Sequence, residues 1–128
     1  MRADLEIIQE WIPAGSRVLD LGCGDGELLA WLGANKQVTG YGLEIDGDKI
    51  ATCIERGVNV IEQNLDLGLG NFASNSFDVV VMTQSLQALR YPDKVLAEML
   101  RVGKTCIITF PNFGHWHCRW YLATKGRM

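Results

Sequence analysis

The chain has 128 residues, 48% of them hydrophobic and 21% charged. That is one domain's length, with apolar side chains for a single core and too little charge for wholesale disorder. The formal net charge of −3 gives no basic footprint, so nucleic acid is not an expected partner.

Targeting and redox features are plain. Arg2, Asp4, Glu6 and Glu10 interrupt the N-terminal segment, which does not suit a signal-peptide apolar core. No run reaches the ~20 apolar residues of a membrane span. A cytoplasmic protein with no membrane partner is expected. Cys23, Cys53, Cys106 and Cys118 form no C-x-x-C pair, and reduced thiols are expected rather than a zinc or redox motif.

In chain order, Asp4 to Trp11 has helical spacing, with Leu5, Ile8 and Ile12 on one face. Pro13 to Ser16 is a turn, and Arg17 to Leu21 is a short strand running into glycines. Leu28, Leu29 and Leu32 mark a helix ending near Gly33 to Lys36. Val38 to Leu43 is a second strand, and Asp48 to Arg56 a second helix with Ile50, Ala51 and Ile54 inward, stopped at Gly57. Asn59 to Gln63 is a third strand, Leu67 to Ser76 a loop, and Phe77 to Thr83 a strand apolar enough for burial on both faces.

Tyr91-Pro92-Asp93 starts a helix, where proline suits the first turn. Val95, Leu96, Met99 and Leu100 are its expected buried stripe, and Gly103 its end. Thr105 to Phe110 is a fifth strand, and the aromatic-rich segment Phe113 to Lys125 is expected to be helical. Strands alternating with helices predict an α/β Rossmann-like fold: an open, mostly parallel sheet with helices on both faces. Ligands bind such sheets at the carboxyl ends of the strands.

The first strand ends in Asp20-Leu21-Gly22-Cys23-Gly24-Asp25-Gly26. Alternate glycines let the backbone turn tightly and approach a ligand. A dinucleotide loop wants G-x-G-x-x-G, but Glu27 stands at the third glycine's place. Asp20 and Asp25 are poor neighbours for a pyrophosphate. Carboxylates suit a cationic ligand, and S-adenosylmethionine carries a sulfonium and an ammonium but no phosphate.

The second strand ends in Glu44-Ile45-Asp46. Glu44 lies about 20 positions past the glycine turn, where a ribose-binding carboxylate belongs, and Asp46 reads as the cap of the following helix. At Gln63-Asn64-Leu65-Asp66, Asn64 or Asp66 can accept from the adenine amine, while an Asx-type turn explains both residues equally well. Gln84, in Met82 to Gln87, is expected beside the reactive methyl, and Phe110-Pro111-Asn112 is expected to wall an acceptor pocket.

Val18 to Gly26 resembles motif I of class I methyltransferases, Ser76 to Val80 their fourth-strand motif, and Glu98 to Gly103 their following helix. Met82 to Ala88 and Thr109 to Trp116 resemble, more narrowly, the methionine biosynthesis protein MetW family. The resemblance spans nearly the whole chain. It implies S-adenosylmethionine (or S-adenosylhomocysteine) as ligand, and support of the homoserine O-acyltransferase of methionine synthesis. It places Asp20, Gly22, Gly24, Asp25 and Gly26 against the methionine part of the ligand, with Cys23 in the same loop. It places Glu44, beside Ile45, at the ribose.

Two departures stand out. The family pattern has aspartate where Asn64 stands, and asparagine keeps one acceptor but presents a donor on its other branch. The family's sheet also continues past this point. Residues 1–128 are therefore expected to be one cofactor-binding domain, truncated and lacking the C-terminal strand hairpin. The fifth strand is then an open edge inviting homodimerisation.

Methyl transfer from a sulfonium depends on positioning more than on acid–base help, and no residue stands out as a general base. His115-Trp116-His117-Cys118 lacks the one-face spacing of a helical metal site, so no metal is expected. Phe113, Trp116, Trp120 and Tyr121 read instead as a packed or partner-facing cluster. Besides an accessory subunit, two readings stay open: an active small-molecule methyltransferase, and a fold that has lost its cofactor.

Overall fold

The computed structural model describes residues 8–83, 89–109 and 121–125, with 109 and 121–125 described by their backbone alone. The elements run β1 (Arg17–Leu21), α1 (Glu27–Lys36), β2 (Thr39–Glu44), α2 (Gly47–Glu55), β3 (Asn59–Glu62), a short 3-10 turn (Leu65–Leu67), β4 (Phe77–Thr83), α3 (Pro92–Val102), β5 (Gly103–Thr109) and β6 (Tyr121–Lys125). One sheet joins the strands in the order β3-β2-β1-β4-β5-β6. The first five are parallel, and β6 runs antiparallel to β5.

β1 and β4 occupy the middle, and the period of two sorts their side chains onto opposite faces. Val18, Val79 and Val81 join Leu28, Leu29 and Leu32 of α1, Cys53 of α2, and Ile8 and Ile12 in one core layer. Leu19, Leu21, Val80 and Met82 join Val95, Met99 and Val102 of α3 in the other. Each fully buried aliphatic side chain contributes roughly 1.5–3 kcal/mol. The chain order reverses between β1 and β4, so their carboxyl ends open a crevice of the kind that takes ligands.

Three expectations need correction. α2 buries Cys53, while Ile54 is 65% exposed, and Ala51 is exposed too. The helix lies towards the edge of the sheet, over the four-residue β3, and has little apolar surface to cover. In α3, Val102 is buried where Leu100 was expected, and Leu100 is 40% exposed.

The third correction concerns the C-terminal segment. Residues 121–125 form a strand, not a helix, and pair with β5 from Thr109↔Tyr121 to Thr105↔Lys125. β5 is therefore not the open edge expected, and the argument for a dimer through it no longer applies. One antiparallel strand stands where a hairpin was expected to be missing. The rest of that segment, 110–120, lies outside the described residues. Among the described residues, no helix is long and apolar enough to cross a membrane.

Candidate functional site

The turn after β1 is built on left-handed backbone, with φ of +74° at Gly22, +60° at Gly24 and +84° at Gly26. Such angles are costly for residues with a Cβ. The turn is tied to the end of β2, because Gly22 and Cys23 both donate to the Leu43 carbonyl, at 2.8 and 3.0 Å. The Gly24 N–H donates to Glu44 Oε1 at 2.8 Å. Glu44 Oε2 accepts from Ile45 and Asp46 N–H at 3.2 and 3.1 Å. Glu44 thus locks the glycine turn and its own strand end together.

The two glycines flanking Asp25 do different work. A Cβ on Gly24 would meet nothing within 4 Å, so that side of the turn faces open space. A Cβ on Gly26 would come within 3.0 Å of Cys53 Sγ and 3.2 Å of Val58 Cγ2. Gly26 is the N-cap of α1 and packs onto the α2–β3 unit. It does not line the cavity described next.

The open space is a cavity of about 900 Å³ at the carboxyl ends of β1 to β4, within the range of small-molecule sites. Of the residues singled out from sequence, Asp20, Gly22, Cys23, Gly24, Asp25, Glu44, Ile45, Asn64, Leu65 and Asp66 line it. Gln84 lies outside the described residues, as do Phe110 to Asn112 and the His115 to Cys118 stretch. Among the described residues, no group of three or more His, Cys, Asp or Glu is placed to hold a metal ion.

Sequence reasoning missed Glu27, Leu28, Leu43, Lys49, Gln63, Thr83, Leu89 and Arg90 as lining residues. Thr83 ends β4 and follows from the strand-end rule. Lys49 lies in the first turn of α2, and Leu89 and Arg90 lie beyond the strand end, so neither position carries a sequence signal. Lining carboxylates (Asp20, Asp25, Glu27, Glu44, Asp66) outnumber lining cations (Lys49, Arg90) five to two. Asp20 is only 2% exposed, which sets a carboxylate deep at the base of the glycine turn.

The other polar side chains hold the walls. Asp46 Oδ1 accepts from Asp48 and Lys49 N–H at 2.9 and 3.3 Å, the helix cap expected. Asp25 Oδ1 accepts from Glu27 N–H at 3.2 Å and lies 3.4 Å from the Arg56 guanidinium. Asn64 Oδ1 accepts from Asp66 N–H at 2.9 Å, the Asx-type turn weighed above. Asp66 Oδ1 accepts from Arg90 and Tyr91 N–H at 3.0 and 3.1 Å. Arg101 of α3 clamps the following loop, donating to the Leu69 carbonyl at 2.9 Å and to Glu98 at 2.8 Å. The Arg101 guanidinium holds the Glu98 carboxyl below its usual range.

Behind the glycine turn, Cys23 and Cys53 bring their sulfurs to 3.8 Å, and Cys53 Sγ donates to the Gly24 carbonyl at 3.2 Å. Burial, followed by the Asp20 carboxylate, pushes the Cys23 thiol far above its ordinary range. Burial likewise raises Cys53, and takes Cys106 up to about 11. Since the thiolate is the reactive form, all three should resist alkylation in the folded protein at pH 8 and react promptly once it is denatured. Mass-spectrometric mapping of iodoacetamide adducts checks this. Rapid native labelling of Cys23 would mean that the glycine turn is not packed as described.

The methionine biosynthesis protein MetW family matches residues 2–128. The bifunctional methionine biosynthesis protein MetXA/MetW of Rhodopirellula baltica is 40% identical over 135 aligned positions, covering 99% of this chain and 22% of that protein. A ubiquinone biosynthesis O-methyltransferase of Nitrosococcus oceani is 36% identical over 99 positions, covering 70% of this chain and 41% of that one.

Among solved structures, the [4+2]-cyclase SpnF superposes with a TM-score of 0.74 at 25% identity, over 83% of this chain and 43% of the cyclase. Phosphoethanolamine N-methyltransferase 2 of Haemonchus contortus, in complex with S-adenosyl-L-methionine, superposes with a TM-score of 0.75 at 22% identity, over 88% of this chain and 28% of the enzyme. That last likeness shows the fold alone. The chain spans less than half the length of each of these proteins. One fold here accompanies a methyltransferase and a cyclase, so the fold by itself does not assign a reaction.

Proposed function

The chain belongs to the methionine biosynthesis protein MetW family, and from that premise we propose that it binds S-adenosylmethionine and supports the homoserine O-acyltransferase of methionine synthesis. The observation that carries the ligand is the glycine turn, whose Gly24 faces open cavity beneath an excess of carboxylates. The donor set fits the ligand's chemistry. Asp20 and Asp25 offer charge-assisted acceptors to an ammonium and opposite charge to a sulfonium. Glu44 already accepts from three N–H groups, and since a carboxylate has about four lone-pair sites it keeps acceptor capacity for one ribose hydroxyl. When bound, the cofactor supplies an activated methyl group; the chain's residues supply a cradle, a counter-charge and orientation.

Support for the partner comes from the Rhodopirellula baltica relative, which by name joins MetXA and MetW in one bifunctional protein. Two functions kept in one polypeptide work at high effective concentration, as expected of parts that act on each other. Purified acyltransferase should co-elute with this protein and turn over faster in its presence. Separate elution together with unchanged turnover counts against the partnership. Calorimetric titration should show saturable binding of S-adenosylmethionine and S-adenosylhomocysteine; its absence removes the cofactor.

A second reading, an active methyltransferase on a small molecule, is favoured by the 36% identity to an O-methyltransferase. Labelled methyl transfer into metabolite extracts decides it, and no labelled product sinks it.

A further inference from the structure

We propose that Cys23 Sγ, Cys53 Sγ and the Gly24 carbonyl form a binding site for a thiophilic divalent cation of the zinc class, set behind the glycine turn. The site does not depend on the cofactor reading above.

Three donor atoms converge there. The two sulfurs stand 3.8 Å apart, and the Gly24 carbonyl oxygen lies 3.2 Å from Cys53 Sγ and 3.7 Å from Cys23 Sγ. The point equidistant from all three lies about 2.1 Å from each, against metal bonds of about 2.3 Å to sulfur and about 2.0–2.2 Å to oxygen. An ion sitting slightly above the plane of the three meets each at bonding distance, and a position on its far side stays open. A Cβ at Gly26 or at Gly42 would crowd one sulfur each, so glycine at both positions leaves room around the pair.

The electrostatics suit a cation. As the ion enters, both thiols give their protons to solvent, and two thiolates balance a divalent charge. The buried site is then neutral, as a site away from water needs to be. Asp20, Asp25 and Glu44 line the adjoining cavity, and their field attracts a cation. Cys23 lines the same cavity, which gives the ion its way in.

The donor set also sets the selectivity. Thiolate sulfur favours zinc-class ions over magnesium or calcium. Among the described residues no third His, Cys, Asp or Glu joins the pair. With three protein donors where structural zinc sites have four, the site should exchange its ion readily. Cys23 and Gly24 belong to the glycine turn and Cys53 to α2, so a bound ion staples one to the other. The cysteines lie 30 positions apart, and no short motif announces them.

The test is titration of the reduced, metal-free chain with cadmium(II), followed by the ultraviolet thiolate-to-cadmium charge-transfer band. The band should saturate at one ion per chain, and zinc(II) should displace the cadmium. Cys53→Ser should lose the band, and Cys118→Ser, which changes a cysteine outside the described residues, should keep it. X-ray absorption at the cadmium edge of the unmutated protein should count two sulfurs in the first shell, a reading independent of how any variant folds. No saturable band, a band that survives in folded Cys53→Ser or vanishes in Cys118→Ser, or any count other than two sulfurs overturns the proposal.

Discussion

Gly24→Val should abolish binding of S-adenosylmethionine and S-adenosylhomocysteine, a loss of at least about a hundredfold in affinity, while leaving the protein folded. Two effects act at one atom. Gly24 has φ +60°, and a β-branched residue in that region is an outlier, at a cost of roughly 1–2 kcal/mol. A Cβ there meets nothing within 4 Å, so the added methyls enter the cavity rather than the core. The strain is small beside a domain's stability of roughly 5–15 kcal/mol, so circular dichroism should show a native fold with a modestly lowered Tm. The methyls, by contrast, occupy space the ligand needs and disturb a turn that depends on the 2.8 Å bond from Gly24 N–H to Glu44. Gly24→Ala should fall between wild type and valine. Full affinity in folded Gly24→Val would show that the glycine turn is not the cradle.

The parts of the fold legible in the sequence are those decided by local pattern. β1 and β4 have the bounds expected, because each is a short apolar run closed by a turn or a polar strand end. Asp46 was legible as a cap because an N-cap reaches N–H groups two and three residues ahead. Glu44 was legible as an acid at a strand end. Its hold on the Gly24 N–H was not, since that partner lies twenty positions away in sequence.

β6 was missed for the same reason. Its short sequence, Tyr-Leu-Ala-Thr-Lys, fits a helix or a strand, and pairing with β5 decides between them. The inward face of α2 was misjudged because side-chain size stood in for location. Isoleucine at 54 looks like core, yet the space against Gly24 and Gly26 admits only the small Cys53.

That tight packing sets up the second large effect, at Gly42. The residue sits in β2 opposite Asp20 of β1, on the side from which Cys23 descends from the glycine turn. A Cβ at position 42 would lie 2.7 Å from Cys23 Cβ and nearer still to its sulfur, with Leu29 Cδ1 at 3.2 Å. Leu29 can swing aside. Cys23 is held more firmly, because its N–H donates to the Leu43 carbonyl at 3.0 Å.

Gly42→Ala should therefore displace the turn, destabilising the protein by about 1–3 kcal/mol, as overpacking does, and weakening S-adenosylhomocysteine by about tenfold or more. Cys23→Ala removes the nearest atom but not the Cβ, so it should recover part of both losses in the double variant. Denaturant melts and titrations of the four-membered cycle read this as a coupling; strictly additive losses would mean that Gly42 does not press on the turn. The pattern differs from that of Gly24→Val, where binding falls and stability nearly holds. At Gly42 the two should fall together, because there the added atom strikes the support and not the cradle.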